Sequence, residues 1–254
     1  MGRLIEAACG CSTGKVRSNT EDNFYFAGQC LDTEHDGLKE TLHMEIPVGA
    51  GVLLSVFDGM GGENFGEVAS FAAAHRLRQM MQEKKKPADL FGSPRKYLEK
   101  IAGSLNNAVV AAARELRTSR MGTTMAGLYL CRYGAYGVNI GDSRIYRLHD
   151  GVLTQLSVDH VERSTRKKAP LTQHLGIDPE EMTIEPWIVK TKPQKGDMYL
   201  LCSDGLTDLL ADEEIACVMD AAEHTPLCAE RLIRLALERG GRDNITVIVC
   251  KVIA

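Results

Sequence analysis

Asp-Gly occurs four times in this 254-residue sequence, and two of the four pairs follow continuously apolar runs. Asp58-Gly59 follows GVLLSVF, and Asp204-Gly205 follows MYLLCS. A carboxylate at such a strand end is half-buried, and it costs several kcal/mol or becomes protonated unless a cation pairs with it. Two such carboxylates in one chain therefore indicate a cation site, although either aspartate alone would also suit a helix N-cap.

The other two Asp-Gly pairs occur in sequences typical of turns. Asp150-Gly151 separates the alternating runs RIYRLH and VLTQLS, which predicts a β-hairpin, and Asp36-Gly37 lies in a polar loop. These pairs need no functional explanation, so they serve as an internal comparison for the two pairs at apolar strand ends.

Further acidic residues are predicted at strand ends. Glu21 and Asp22 open a strand in RSNTEDNF, and Asp243 precedes the last strand in GGRDNITV. Asp208 lies one helical turn beyond Asp204, so their side chains can share a face. Oxygen ligands without a cluster of His and Cys favour magnesium or manganese over zinc or copper.

Two glycine-rich stretches resemble phosphate-binding loops but lack the residues these loops require. GCSTGKV is one residue too short between its glycines for a Walker A loop, and Val16 replaces the hydroxyl residue. The stretch from Asp58 has Asn64 where a dinucleotide fingerprint needs its last glycine, and Asp58 would repel a pyrophosphate. A cation would have to lie between Asp58 and any bound phosphate.

The elements that must position these residues separate into runs of strands and runs of helices. Strands are predicted in LIEAACGC, NFYFAG and GVLLSVF, in several short segments between residues 123 and 202, and in the final NITVIVCKVIA. Helices are predicted over 65–83, from Ser93 to about Leu116, over 212–222 and over 225–239. This order favours an α+β fold with antiparallel sheet.

The composition is that of an ordinary globular protein, with 44% hydrophobic residues, 25% charged residues and a net charge of -4, which gives no reason to expect nucleic acid. Residues 1–11 lack a long apolar core, so neither a signal peptide nor a membrane span is predicted, and we expect a cytoplasmic protein. The eight cysteines are scattered without a Cys-x-x-Cys pair, which favours reduced thiols. Cys9 and Cys11 are predicted to pack in the core, with a redox or metal role as the alternative.

Six motifs occur in the order and approximate spacing of the metal-dependent protein phosphatases of type 2C: RSNTEDNF, FDGMGG, GTTMAGLYL, NIGDSRIYRL, CSDGLTD and GRDNITV. The sequence therefore resembles this family, and its bacterial branch in particular. The resemblance implies one catalytic domain over residues 1–254, built as a four-layer α-β-β-α sandwich with two antiparallel sheets flanked by helices. It also implies hydrolysis of phosphoserine and phosphothreonine in proteins.

The resemblance also assigns metal-binding roles to the matching positions. Asp58 would bridge two Mn²⁺ or Mg²⁺ ions, with the Gly59 carbonyl and Glu21 on one ion and with Asp204 and Asp243 on the other. A hydroxide bridging the two ions would attack phosphorus in line with the departing serine or threonine oxygen, without a phosphoenzyme.

Four further residues receive roles from the same resemblance. Asp22 would orient bound water, and Asp142 with Asp208 resembles the family's weaker third-metal site. Arg17 would clamp the substrate phosphate with its guanidinium fork and so take part in catalysis. Taken alone, Asp142 would suit a tight turn, and an arginine near a strand end is most often a surface residue.

The sequence departs from the family pattern in two places. Met60 follows Asp58-Gly59 where many eukaryotic members have a histidine considered the general acid, so metal-bound water is expected to deliver the proton. The flap between VDH and LTQHLG is short, and His160 beside it has no assigned role. The basic residues of this flap suit either a phosphorylated substrate or a solvated loop: Arg163, Arg166, Lys167 and Lys168.

Three functions stay open at this point. The first is a monomeric Mn- or Mg-dependent protein Ser/Thr phosphatase, whose partners would be a phosphorylated protein and a cognate Ser/Thr kinase. The second is a pseudophosphatase that binds a regulatory partner through the same sandwich, although every matched carboxylate is present. The third keeps the metal chemistry but acts on a small phosphoester or on a phosphorylated regulator of transcription.

Overall fold

The computed structural model describes residues 3–49, 51–61, 65–83, 93–118, 120–162 and 169–254. The strands within these residues are β1 (Leu4–Ser12), β2 (Asp22–Tyr25), β3 (Leu42–Pro47), β4 (Val52–Gly61), β5 (Met121–Thr123), β6 (Met125–Cys131), β7 (Gly134–Ile140), β8 (Arg144–His149), β9 (Val152–Gln155), β10 (Trp187–Thr191), β11 (Met198–Cys202) and β12 (Ile245–Val252). The helices are α1 (Gly66–Gln82), α2 (Pro94–Glu115), α3 (Asp204–Thr207), α4 (Asp212–Asp220) and α5 (Thr225–Glu238).

The strands form two antiparallel sheets. The first sheet has the order β3-β1-β12-β11-β8-β9, and the second has the order β10-β7-β6-β4-β2, with β5 also paired to β4. The register of β1 on β12 runs from Ile5 opposite Val252 to Ser12 opposite Ile245, which aligns the last strand with the first. The predicted α+β fold with antiparallel sheets is confirmed.

Three apolar layers hold the elements together. Side chains such as Phe24, Val56 and Ile248 fill the space between the two sheets. Helices α1 and α2 cover the outer face of the second sheet, where Phe57 and Leu98 are fully buried, while α4 and α5 cover the first sheet. The order helix, sheet, sheet, helix is the four-layer sandwich that the family resemblance implies.

The long helices begin and end where their sequences indicate. Ser93 caps α2 by accepting a hydrogen bond from the Lys96 backbone N–H at 3.3 Å, and Pro94 is the first helical residue. After α5, Gly240 and Gly241 have φ values of 119° and 49°, so both use the left-handed region that glycine tolerates. The four predicted helices are thus confirmed to within a few residues.

Two local features differ from the sequence interpretation. Sequence analysis does not predict β3, an edge strand whose side chains are largely exposed, although Leu42, Met44 and Ile46 alternate along it. Asp58 also does not end its strand, because β4 continues through it to Gly61 by pairing with β5.

The cysteines are free thiols, and Cys9 and Cys11 lie buried between the sheets, which confirms their predicted packing in the core. Burial raises the pKa of Cys11 to about 12, so its thiol stays protonated near neutral pH. Among the described helices, none is long and apolar enough to cross a membrane.

Candidate active site

Acidic residues meet at one end of the second sheet because two strands pair there. Asp22 on β2 lies directly opposite Asp58 on β4. The backbone N–H of Gly59 donates to the carbonyl of Glu21 at 3.1 Å, which extends the pairing by one step. Strand register therefore brings Glu21, Asp22, Asp58 and Gly59 into one local group.

The packing around Gly59 leaves no room for a side chain at this position. A Cβ on Gly59 would collide with the carbonyl oxygens of Gly66 and Glu21, and both of these are backbone atoms that cannot rotate away. Gly66, the first residue of α1, has the same restriction, because its Cβ would lie 2.7 Å from the carboxyl carbon of Glu21. The start of α1 is thereby packed directly against the acidic group.

The second Asp-Gly pair is packed in the same way in the first sheet. Asp204 is 8% exposed and opens α3, with only Ser203 between it and the end of β11. A Cβ on Gly205 would collide with the carbonyl oxygen of Asn244 and would lie 3.5 Å from the Cβ of Asp243. This close approach places the segment that carries Asp204 against the segment that carries Asp243.

Buried polar side chains connect the two acidic groups. The Ser203 hydroxyl donates to Asp22 Oδ2 at 2.7 Å, and its oxygen accepts from the Thr246 backbone N–H at 3.0 Å. The Asn244 side-chain oxygen accepts from the Glu21 backbone N–H at 2.7 Å. Residues at the ends of β11 and β12 in the first sheet thus hold the start of β2 in the second.

The electrostatics of Asp22 reflect this crowding. The pKa of Asp22 is raised to about 7, chiefly by burial and also by the charges of Asp204 and Asp243, although hydrogen bonds from Ser203 and Thr246 act in the opposite direction. A carboxyl group that is hard to ionise beside other carboxylates is a site that a cation would stabilise.

Arg17 reaches the same group from the loop between β1 and β2. Its Nη2 donates to Asp243 Oδ2 at 2.8 Å, and the side chain is 46% exposed. The hydrogen bond to Asp243 raises the pKa of Arg17, and the charges of Asp243, Glu21 and Asp58 add to this. The guanidinium therefore lies among the predicted metal ligands with part of its surface open to solvent.

Asp142 lies in a turn that is linked to the Asp58 backbone by hydrogen bonds through side-chain hydroxyls. The Thr124 hydroxyl accepts from the Asp58 N–H at 3.0 Å and lies 2.6 Å from the Ser143 hydroxyl. The Gly141 N–H donates to Nδ1 of His160 at 3.2 Å, so the segment after β9 supports the same turn.

Asp208 is exposed at the end of α3, where its backbone N–H donates to the carbonyl of Asp204 at 2.8 Å. The flap residues Arg163, Arg166, Lys167 and Lys168 lie outside the described residues.

Sequence reasoning identified the acidic residues but not the polar ones that position them. Ser203, Thr246 and Asn244 are all under 5% exposed, and each lies within three residues of a predicted ligand. The available signal is a Ser or Asn adjacent to an acidic strand end, as in CSDG and RDN. This signal is weak, because the same residue types are common in turns.

The chemistry of these residues suits the binding of a pair of hard divalent cations. They offer carboxylate and carbonyl oxygens, which magnesium and manganese prefer, and the glycines leave room for close approach of the backbone. Within the described ranges, no three or more His, Cys, Asp or Glu side chains are already arranged as a metal-ion site. Asp243 is paired with Arg17, so cation binding there would compete with that ion pair.

Comparison with known proteins agrees with this geometry. The chain matches a family model described as Protein phosphatase 2C over residues 41–244. It is 32% identical over 267 residues to serine/threonine protein phosphatase PstP of Mycobacterium tuberculosis, which covers 98% of this chain and 45% of that protein. It is 31% identical over 214 residues to serine/threonine phosphatase stp of Listeria monocytogenes, which covers 78% of this chain and 83% of that protein.

The chain thus spans less than half the length of the mycobacterial relative. A crystal structure of the catalytic domain of PstP in complex with two manganese ions has the same architecture, with a TM-score of 0.76 and 32% sequence identity. That comparison covers 99% of this chain and 100% of the crystallised chain, so the likeness extends over the whole sandwich.

Proposed function

Because this chain belongs to the protein phosphatase 2C family, we propose that it is a metal-dependent phosphatase of phosphoserine and phosphothreonine in proteins. The observation that supports this most directly is the meeting of acidic segments from both sheets. Asp22 and Asp58 are cross-strand partners, and the hydrogen bond from Ser203 joins Asp22 to the segment that carries Asp204.

The proposed ligand set follows from these positions. Glu21, Asp58 and the Gly59 carbonyl would hold one Mn²⁺ or Mg²⁺ ion. Asp204 and Asp243 would bind the second ion, and Asp58 would be shared by both ions. Such a pair of ions supplies Lewis-acid activation of water and neutralises charge on the phosphate. The bound state of PstP with two manganese ions supports this assignment.

The other predicted residues take supporting roles in the same proposal. Asp22 would accept a hydrogen bond from water in the cleft, and Asp142 with Asp208 would form a third, weaker cation site. Arg17 would hold two phosphate oxygens with its fork, since its guanidinium is near the ligands and partly exposed.

The biological setting belongs to the proposal as well. We infer that residues 1–254 form one catalytic domain, which acts as a monomer in the cytoplasm. Its partners would be phosphorylated proteins and a cognate Ser/Thr kinase, in keeping with the protein phosphatases that it resembles.

The deciding experiment measures hydrolysis of a phosphoserine peptide with manganese, with magnesium and with chelator. Turnover should require the metal, and Asp58→Asn should abolish it, because this substitution removes the bridging carboxylate. Asp150→Asn is the matched control, since Asp150 belongs to an Asp-Gly pair in the β8–β9 hairpin and should leave turnover unchanged.

The same assay distinguishes the alternatives. Faster hydrolysis of nucleotides than of phosphopeptides would indicate a different phosphoester substrate. Manganese binding without turnover on any phosphoester would indicate a regulatory binding protein and would overturn the proposed activity.

A further inference from the structure

Departure of a serine or threonine oxygen from phosphorus leaves an alkoxide, which needs a proton. Met60 lies two residues beyond Asp58 on β4, so both side chains project from the same face of the sheet. The thioether of Met60 cannot donate a proton. A protein donor for this part of the cleft would therefore have to come from another segment of the chain, and metal-bound water is the alternative donor.

Strand register brings His174 to this place. Met60 on β4 pairs with Gly122 on β5, and the next β5 residue, Thr123, forms a bridge with Leu175. His174 immediately precedes Leu175, so it projects from the face opposite to Leu175, which is the face shared by Gly122 and Met60. That face also carries the side chain of Asp58.

The side-chain positions agree with this register. Around the point that a Cβ on Gly122 would occupy, His174 Nδ1 lies at 2.6 Å and Met60 Cε at 2.9 Å. The imidazole and the end of the methionine side chain thus meet above Gly122, and the absence of a side chain at Gly122 makes room for the ring. His174 is only partly buried, so part of the residue is open to solvent.

The hydrogen bond at His174 Nδ1 determines which ring nitrogen can donate a proton to the substrate. His174 Nδ1 lies 3.0 Å from the carbonyl oxygen of Leu175, and a carbonyl can only accept, so Nδ1 carries a hydrogen. Nε2 is then the atom that gains or loses a proton. His160 differs, because its Nδ1 accepts from Gly141 and burial lowers its pKa, which favours the neutral ring.

We propose that His174 is the general acid for the leaving serine or threonine oxygen, an inference that rests on the proposed phosphatase function. A water oxygen forms the new bond to phosphorus and releases a proton to solvent, and the bond from phosphorus to the side-chain oxygen breaks. The electron pair of that bond stays on the side-chain oxygen, which takes the proton from Nε2. The neutral imidazole keeps its Nδ1–H on the Leu175 carbonyl and regains the Nε2 proton from solvent.

The test compares two leaving groups with manganese present: a phosphoserine peptide, which needs a proton donor, and p-nitrophenyl phosphate, whose phenolate leaves without one. His174→Gln should lower kcat/KM on the peptide by about 100-fold, within the range of general acid catalysis, and should change hydrolysis of p-nitrophenyl phosphate only a few-fold. Along a series of substituted phenyl phosphates, the variant rate should fall more steeply as the phenol becomes less acidic.

Two further measurements separate this role from a structural one. His224→Gln is the matched control, because the His224 side chain is 72% exposed at the start of α5 and should not affect either substrate. The rise in melting temperature caused by manganese should be the same in His174→Gln and the unaltered protein. If His174→Gln folds poorly, His174→Asn provides the same comparison with a smaller side chain.

Equal losses on both substrates, or no loss on the peptide, would overturn the role of His174. An unaltered protein that hydrolyses neither substrate with manganese would instead overturn the proposed phosphatase function. The two failures are therefore distinguishable in one set of assays.

Discussion

The Ser203 hydroxyl and the Asp22 carboxylate join the two sheets through a 2.7 Å hydrogen bond between fully buried side chains. Ser203 follows β11 in the first sheet, and Asp22 opens β2 in the second. The Ser203 oxygen also accepts from the Thr246 N–H, so one side chain connects three strands. The spacing between the two halves of the acidic group depends on this contact.

Ser203→Ala should therefore weaken both folding and metal binding. Loss of a buried hydrogen bond to a charged group costs about 1–3 kcal/mol, and the Thr246 N–H also loses its acceptor. We expect denaturant unfolding to show this loss and calorimetric titration to show weaker manganese binding. Ser157→Ala is the control, because the buried Ser157 hydroxyl also accepts a hydrogen bond from a backbone N–H. That N–H belongs to Ile145, which is not one of the predicted metal ligands. Equal manganese affinity in the two variants would contradict the positioning role of Ser203.

Asn244 is expected to hold the loop that carries Arg17. Its side-chain nitrogen donates to the carbonyls of Thr13 and Asn19 at 2.9 and 3.0 Å, while its oxygen accepts from the Glu21 N–H. Asn244→Asp would keep the acceptor but place a carboxylate oxygen against two carbonyls. We expect a loss of about 1–3 kcal/mol in stability and a rise in KM for a phosphopeptide.

Limited digestion with trypsin gives a second measurement for Asn244→Asp. Lys15 and Arg17 lie exposed in the loop that Asn244 holds, so cleavage there should become faster in the variant. An unchanged cleavage rate together with an unchanged KM would show that the loop is held by other contacts.

The sequence was sufficient to predict the elements with strong local signals. Helix α2 has a capping serine, a proline at its first position and an apolar face, and each of these is visible without tertiary information. Strand β3 has a weaker signal, because the alternation of Leu42, Met44 and Ile46 covers only six residues and most side chains of this edge strand are exposed. Its pairing with β1 identifies it clearly. Pairing between distant segments is not encoded in local pattern.

The candidate site, like the fold, could be predicted only in part from the sequence. Each acidic residue stands in a recognisable motif, but the pairing of Asp22 with Asp58 depends on the register of β2 and β4. The contribution of Ser203 depends on how the two sheets face each other, and that of His174 depends on a bridge between Leu175 and Thr123. These relations become visible only when the packed sandwich is known.

The same glycine-to-alanine substitution should affect manganese binding differently in different Asp-Gly pairs. Gly59→Ala and Gly205→Ala would push a Cβ into backbone carbonyls, so each should cost about 1–3 kcal/mol and abolish tight manganese binding. Gly151 has open space around it and a φ of 75°, so Gly151→Ala should cost about 1–2 kcal/mol through backbone strain alone. Manganese titration separates the classes: impaired binding in Gly151→Ala, or normal binding in Gly59→Ala, would contradict this assignment.

The metal-free protein should lose stability as the pH rises from about 4 to about 7. Burial raises the pKa of Asp22 from its ordinary 3.8 to about 7 in the folded chain. The folded state therefore binds more protons than the unfolded state across this interval, and linkage makes the free energy of unfolding fall with rising pH. The stabilising contribution is complete below the unfolded pKa and is lost as the pH passes the folded pKa.

Denaturant unfolding in chelator at a series of pH values measures this dependence, with Asp22→Asn as the comparison. Asparagine keeps an acceptor for the Ser203 hydroxyl but does not titrate, so the variant should show a shallower decline than the unaltered protein. Saturating manganese should also reduce the decline, because a cation favours the ionised carboxylates and binds only the folded state. Parallel pH profiles for the two proteins in chelator would show that Asp22 is not the group that carries the effect.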